Sequence, residues 1–424
     1  MRNTSSTQSP RVLQENDVVS LLKPGSRVFI QGLASEPPGL SALLLERPPE
    51  TRGVHWFGVL IPGINRFDYA STAATDRFTG LFIGPDQAST ARQGRSELLP
   101  MHYSRAYRHF SSQHFDLVIL QVAPPNDAGM CSLGINADYA EAVVPNATHI
   151  LAYVNDQMPS TEGPAIDYSE LDFVVPVSAE LLMPPGAGAP GPIIDQIAHH
   201  VATLVRDGDC LQMGIGKVPA AVLPLLKHCR DLGMHSGLVD DSVIPLIELG
   251  VLTGGCKDID RGHIVTNAVY GSRALYDMAG EANFKFSNVG YTHSIGILAK
   301  VNNLVSINSA IEVDLWGQVN SESLGGQQVS GIGGSVDFAR GAVASPGGRS
   351  IIALPSLTSS GRSRIVSQLA AHTPATIARS DVGIVVSEHG IADLRGLTTD
   401  KRAKALISIA DPSVRADLES LVHA

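Results

Sequence analysis

The sequence predicts two α/β domains in tandem, and three observations carry that prediction. The chain has 424 residues, more than the roughly 250–300 at which a single hydrophobic core stops growing. Short, almost uninterrupted apolar runs alternate with longer segments, as strands buried on both faces of a parallel sheet do. The alternation halts at one Pro/Gly-rich stretch and then starts again.

In the first half the strand candidates are "RVFIQGL" (27–33), "VHWFGVL" (54–60), "DLVILQV" (116–122), "HILAYV" (149–154) and "LDFVVPV" (171–177), each bounded by Gly, Pro or Asp. "LLMPPGAGAPGP" (181–192) is the best break in the chain. It sets the expected domains at 1–185 and 193–424, joined by a linker over 186–192. Beyond it, Ile194, Ile197, Val201 and Leu204 recur at helical spacing until Asp207-Gly208 closes the segment. Strand candidates return as "CLQM" (210–213), "LVSIN" (304–308), "SIIALP" (350–355) and "VGIVVS" (382–387).

Composition removes several function classes. Charged residues make up 17% and the net charge is −10, which speaks against a nucleic-acid surface and against attraction to anionic membranes. No run of 18 apolar residues occurs, and the N-terminal "MRNTSSTQSP" lacks the apolar stretch of a signal peptide. Cys131, Cys210, Cys229 and Cys256 are widely spaced, with no C-x-x-C pair and no histidine at ligand spacing, so neither a disulfide framework nor a metal site is expected. These features describe a reduced, cytoplasmic protein. The 41 glycines and 26 prolines, with so little charge, point to tightly turned loops and a subunit interface, hence a homo-oligomer, taken as a dimer.

Four motifs bear on chemistry. "LQMGIGKVPAAVL" (211–223) puts Gly214 and Gly216 where a strand hands over to a helix, a place that serves either a tight turn or a ligand approaching backbone N–H groups. The third glycine of a dinucleotide fingerprint and the Gly-Lys-Ser/Thr of a phosphate loop are both missing. "GGQQVSGIGGSVDFARGA" (325–342) sets Gly331, Gly333 and Gly334 in a loop that can form a nest of N–H donors for a developing oxyanion, with Ser330 and Ser335 at its ends. "VNDQMPSTEG" (154–163) gathers Asn155, Gln157 and Met158 in a loop that either touches substrate or satisfies itself. "GLASEPPGL" (32–40) places Glu36 ahead of two prolines, as a helix-entry acid or a cleft residue.

Together with "LVSINSAIEVDLWGQVNSESLGG" and "VVSEHGIADLRG", these segments follow the order and spacing of the acetyl-CoA hydrolase/transferase family, which includes 4-hydroxybutyrate, butyryl and succinyl CoA-transferases. The resemblance runs from about residue 20 to 415. It implies a class I CoA-transferase fold with the active site in the interdomain cleft and coenzyme A bound as a thioester. By the same resemblance, Gly214, Gly216, Gly331, Gly333 and Gly334 fall where the family handles coenzyme A and the acyl oxyanion. Its usual chemistry is covalent: a glutamate carboxylate attacks the acyl-CoA carbonyl, and a mixed anhydride and then a glutamyl-CoA thioester follow.

One place departs from the pattern. The family reads His-Thr/Ser-Glu-Met at the nucleophile, whereas this chain reads His235-Ser236-Gly237-Leu238, followed by Val239-Asp240-Asp241. Gly237 stands at the glutamate position. Asp241 matches a supporting aspartate of the family, and Glu36 is another acid that could face the cleft. His235, with an ordinary imidazole, is a candidate base on water or substrate or else a backbone anchor. Ser236 and His235, adjacent on a strand, point to opposite faces and do not make a nucleophile–base pair. Three readings stay open: an acyl-CoA enzyme working without a covalent glutamate, a conventional transferase with a substitute carboxylate, and a non-catalytic binder of CoA esters. In the first, Gly237 opens room beside the thioester.

Overall fold

The computed structural model describes residues 9–46, 53–185 and 191–422. Residues 186–190 of the expected linker lie outside this set. Two compact units emerge: one is Met1–Pro185 with Thr266–Tyr291 and Val329–Gly333, the other Gly186–Val265 with Thr292–Gln328 and Gly334–Ala424. Residues 266–291 and 329–333 therefore belong with the N-terminal residues, although they fall inside the stretch that the sequence assigns to one C-terminal domain. The chain visits the first unit three times, and no composition break marks the returns.

In the first unit eight strands form one parallel sheet. They are β1 (Arg11–Val12), β2 (Arg27–Ile30), β3 (His55–Gly58), β4 (Arg77–Gly80), β5 (Ser96–Leu98), β6 (Phe115–Val122), β7 (Ala147–Asn155) and β8 (Phe173–Val177). Their order is β1-β8-β7-β6-β2-β3-β4-β5, and every neighbouring pair is parallel. Val28, Ile30, Trp56, Phe78, Leu117 and Leu151 fill the core on one side, each large side chain contributing about 1.5–3 kcal/mol by burial. β4 and β5 have no counterpart among the predicted strands: "RFTG" and "SEL" are too short and too polar to signal one.

The second unit contains β9 (Cys210–Met213), β10 (Gly233–Val239), β11 (Leu304–Ser309), β12 (Arg349–Ala353), β13 (Ile384–Ser387) and β14 (Gly390–Asp393). They run β10-β9-β11-β12-β13-β14, parallel except for the last pair. Helix α1 (Pro192–Ala202) begins on its proline and ends five residues before Asp207, with Ile197 and Val201 buried and Ile194 only partly so. It packs against α2 (Lys217–Val222), and α3 (Ser335–Ala344) lies on β11 and β12. Phe338 from α3 joins Leu298, Val301 and Leu304 in the core. Beneath the sheet, Arg349 and Asp209 form a buried ion pair.

Candidate functional site

β10 carries the stretch in which a carboxylate is missing. His235 is fully buried, and Gly237, two residues on and on the same face of the strand, is partly exposed. His235 donates its Nε2 proton to the Thr292 carbonyl at 3.1 Å, a backbone-anchoring role that leaves this nitrogen no lone pair to act as a base. Ser236 is equally occupied, its hydroxyl lying 2.8 Å from the Leu238 carbonyl oxygen. Asp240 caps the turn that follows by accepting from the Ser242 N–H at 2.9 Å. Asp241, half-buried, opens that turn.

The space beside Gly237 is filled. A Cβ built there would stand 2.9 Å from both Cε1 and Nε2 of His293 and 3.4 Å from the Phe338 ring. A Cβ on Gly334 would fall on His293 Nε2. The imidazole thus lies against two glycines, with Phe338 tilted on it at 4.6 Å between ring centres and Thr292 Oγ1 at 2.9 Å from Nδ1. Only 1% of His293 is exposed. Burial, with His235 adding to it, pushes its pKa down to about 3, so the ring is neutral at physiological pH. The opened room expected at Gly237 is not found, because a side chain from elsewhere in the sequence occupies it. Nothing in "GYTHSIG" announces this: a lone histidine has no periodic or motif signature.

The two glycine motifs are built differently. After β9, Gly214 approaches Asn308 so closely that a Cβ would sit 2.5 Å from its Oδ1. Asn308 belongs to a buried polar trio in which Ser306 Oγ donates to Gln212 Oε1 at 2.6 Å and Asn308 Nδ2 donates to the same oxygen at 3.0 Å. Gly216 follows with φ +137°, a conformation that needs glycine, and starts α2. In the other motif Gly331 abuts the Leu81 carbonyl too tightly for any side chain. The next two glycines have opposite-handed φ values, +60° at Gly333 and −93° at Gly334, the alternation from which N–H nests are made.

Glu36 sits in the first unit, at the carboxyl end of the sheet. Asn65 Nδ2 donates to its Oε2 at 2.9 Å and Tyr69 donates to Oε1 at 2.8 Å. Burial nevertheless raises its carboxyl above the usual range, against the pull of both hydrogen bonds. The group borders a cavity of about 590 Å³ that Arg66, Phe67, Met183 and Tyr270 also line. Asn155, at the end of β7, is committed to neighbouring segments, donating to Gln121 on β6 at 2.7 Å and to the Ala179 carbonyl beyond β8 at 2.8 Å. Met158 is buried, and Gln157 is half-buried with its carbonyl accepting from Arg273 at 3.1 Å. Among the described residues no three His, Cys, Asp or Glu side chains converge as metal ligands, and no helix is long and apolar enough to cross a membrane.

Comparison with known proteins places these features. Residues 1–184 match the acetyl-CoA hydrolase/transferase N-terminal domain and residues 271–422 the C-terminal domain of the same family. The chain is 35% identical to 4-hydroxybutyrate coenzyme A transferase of Clostridium kluyveri over 415 residues, covering 96% of both chains. It is 26% identical to an acetyl-CoA hydrolase of Candida albicans, over 77% of this chain and 70% of that one. The crystal structure of RipA from Yersinia pestis superposes with a TM-score of 0.90 at 31% identity over 97% of each chain. 4-Hydroxybutyrate CoA-transferase of Porphyromonas gingivalis gives 0.80, also at 31% identity over 97% of each chain. With its two parallel-sheet units and both family domains, the chain belongs to the acetyl-CoA hydrolase/transferase family.

Proposed function

We propose that this protein is an acyl-CoA enzyme that breaks the thioester without forming a glutamyl adduct on β10. The observation that carries the reading is Gly237 itself, pressed against the His293 ring where the family pattern has its glutamate. Two of the acids near it in sequence or pattern are poor substitutes. Asp240 is spent on a cap, and Glu36 is already held by hydrogen bonds from Tyr69 and Asn65.

The chemistry then runs directly. The hydroxyl oxygen of a water or of an acceptor attacks the thioester carbonyl carbon and gives up its proton, the backbone N–H groups of the Gly331–Gly334 loop steady the charge on the carbonyl oxygen, and the C–S bond breaks to release CoA thiolate, which takes up that proton. Coenzyme A enters as the thioester, with Gly214 and Gly216 at its approach. The partners are small acyl-CoA esters and a small acceptor, and the low charge density supports a homo-oligomer.

The test uses a panel of acyl-CoAs with and without excess acetate, following free CoA and acetyl-CoA. Free CoA release, with no glutamate or aspartate reduced to its alcohol in any peptide after borohydride treatment, is the expected result. Acetyl-CoA formation with ping-pong kinetics and a labelled carboxylate would establish instead a conventional transferase with a substitute acid. Acyl-CoA binding by calorimetry without any turnover would leave a binder.

A further inference from the structure

We infer that His293 is a specificity-determining residue of this site: its imidazole occupies the volume into which a side chain at position 237 would project, and so holds that position to glycine and closes the glutamyl route. The inference rests on the reading of Gly237 given above and adds a second residue to it.

The geometry is specific. Both far atoms of the ring, Cε1 and Nε2, lie 2.9 Å from a Cβ at 237, closer than carbon and nitrogen atoms pack. The ring has no easy escape. Thr292 Oγ1 holds its Nδ1 at 2.9 Å, Phe338 covers it at 4.6 Å, and Gly334 lies so near that a Cβ there would also fall on the ring. With 1% of the residue exposed, there is no solvent for the imidazole to swing into. Overpacking of this kind displaces backbone or forces off-rotamer side chains.

The site therefore carries a matched set: one imidazole and two glycines that accept it. Gly237 is partly exposed, so a carboxylate tethered there would have access to a bound thioester if the ring were absent. Restoring the covalent route then requires two changes and not one. In that route the carboxylate oxygen attacks the thioester carbonyl, the C–S bond breaks, and CoA thiolate leaves an acyl–glutamyl anhydride. The thiolate next attacks the glutamyl carbonyl, expelling the carboxylate and forming the glutamyl-CoA thioester.

Three full-length variants decide the matter: Gly237→Glu, His293→Ala, and the two combined. Each is incubated with acyl-CoA, treated with borohydride and digested, and the peptide containing residue 237 is weighed, with melting temperature measured in parallel. Gly237→Glu alone is expected to melt several degrees below the wild type and to show no modification. The double variant is expected to regain the lost melting temperature, carry the modified glutamate, and transfer CoA to acetate at least tenfold faster than His293→Ala. A modified glutamate in Gly237→Glu alone, at an unchanged melting temperature, would overturn the inference, as would a folded double variant that binds acyl-CoA yet stays unmodified. A wild-type chain that itself shows a borohydride-reduced carboxylate would sink the proposed function instead, a result read on a different chain from the two that would overturn the inference.

Discussion

Tyr69, itself buried, donates its phenolic proton to Oε1 of the half-buried Glu36 across 2.8 Å. This pairing separates a structural acid from a catalytic one. Glu36→Gln keeps the shape and one acceptor but turns an amide N–H₂ toward Asn65 Nδ2, also a donor. Turnover is expected to persist within severalfold while stability falls by about 1–3 kcal/mol. Tyr69→Phe should give a similar loss, read by urea denaturation. Loss of turnover by three orders of magnitude in folded Glu36→Gln would return Glu36 to the role of substitute nucleophile.

Gly214→Ala tests the strand-to-helix turn. Its new methyl group would press on Asn308 Oδ1 and disturb the trio with Gln212 and Ser306, so about 1–3 kcal/mol of stability should be lost. If the turn is where coenzyme A approaches, KM for acyl-CoA rises at least fivefold while the thermal shift stays modest. An unaltered KM would restrict Gly214 to folding.

Two buried groups give the stability curve opposite slopes. The unfolded His293 imidazole takes up a proton near 6.5 but the folded one only near about 3, so stability falls as pH drops from 6.5 toward 3. Asp138 behaves the other way: burial lifts its carboxyl from 3.8 to about 8, so the folded chain keeps a proton that the unfolded chain gives up, and stability falls as pH rises across that span. Each pKa unit is worth about 1.4 kcal/mol. His293→Asn should flatten the acid limb and Asp138→Asn the rise-in-pH limb, measured by urea unfolding at pH 5, 7 and 8.

The Arg349–Asp209 pair is almost wholly out of solvent, at 6% and 3% side-chain exposure. Arg349→Leu strands a carboxylate that burial already pushes above its usual range and should cost about 3–5 kcal/mol. Adding Asp209→Asn should recover part of that loss, a coupling that a double-mutant cycle in thermal unfolding reads directly.

The parallel sheets were legible because strands buried on both faces write themselves as unbroken apolar runs: "DLVILQV" and "HILAYV" became β6 and β7 with one- or two-residue shifts at their ends. β4 and β5 were not, since "RFTG" and "SEL" each carry a single large apolar side chain and sit in no longer apolar run. The return of residues 266–291 to the first unit was hidden for a similar reason, as contacts between distant segments leave no local composition mark. At the candidate site, the glycines could be read as motifs, and Gly237 as a departure from a family pattern. His293 could not, because its importance lies in what it touches, 56 positions away along the chain.

The fit of His293 between Gly237 and Gly334 also orders the steps by which such a sequence can change. A lineage that gains a side chain at 237 while the imidazole remains passes through a crowded, poorly folding form, whereas one that first exchanges His293 for a smaller residue passes through a form with a small void and a working fold. The dependence therefore runs one way: the histidine is tolerated because the glycine is present, and replacement of the histidine has to come first.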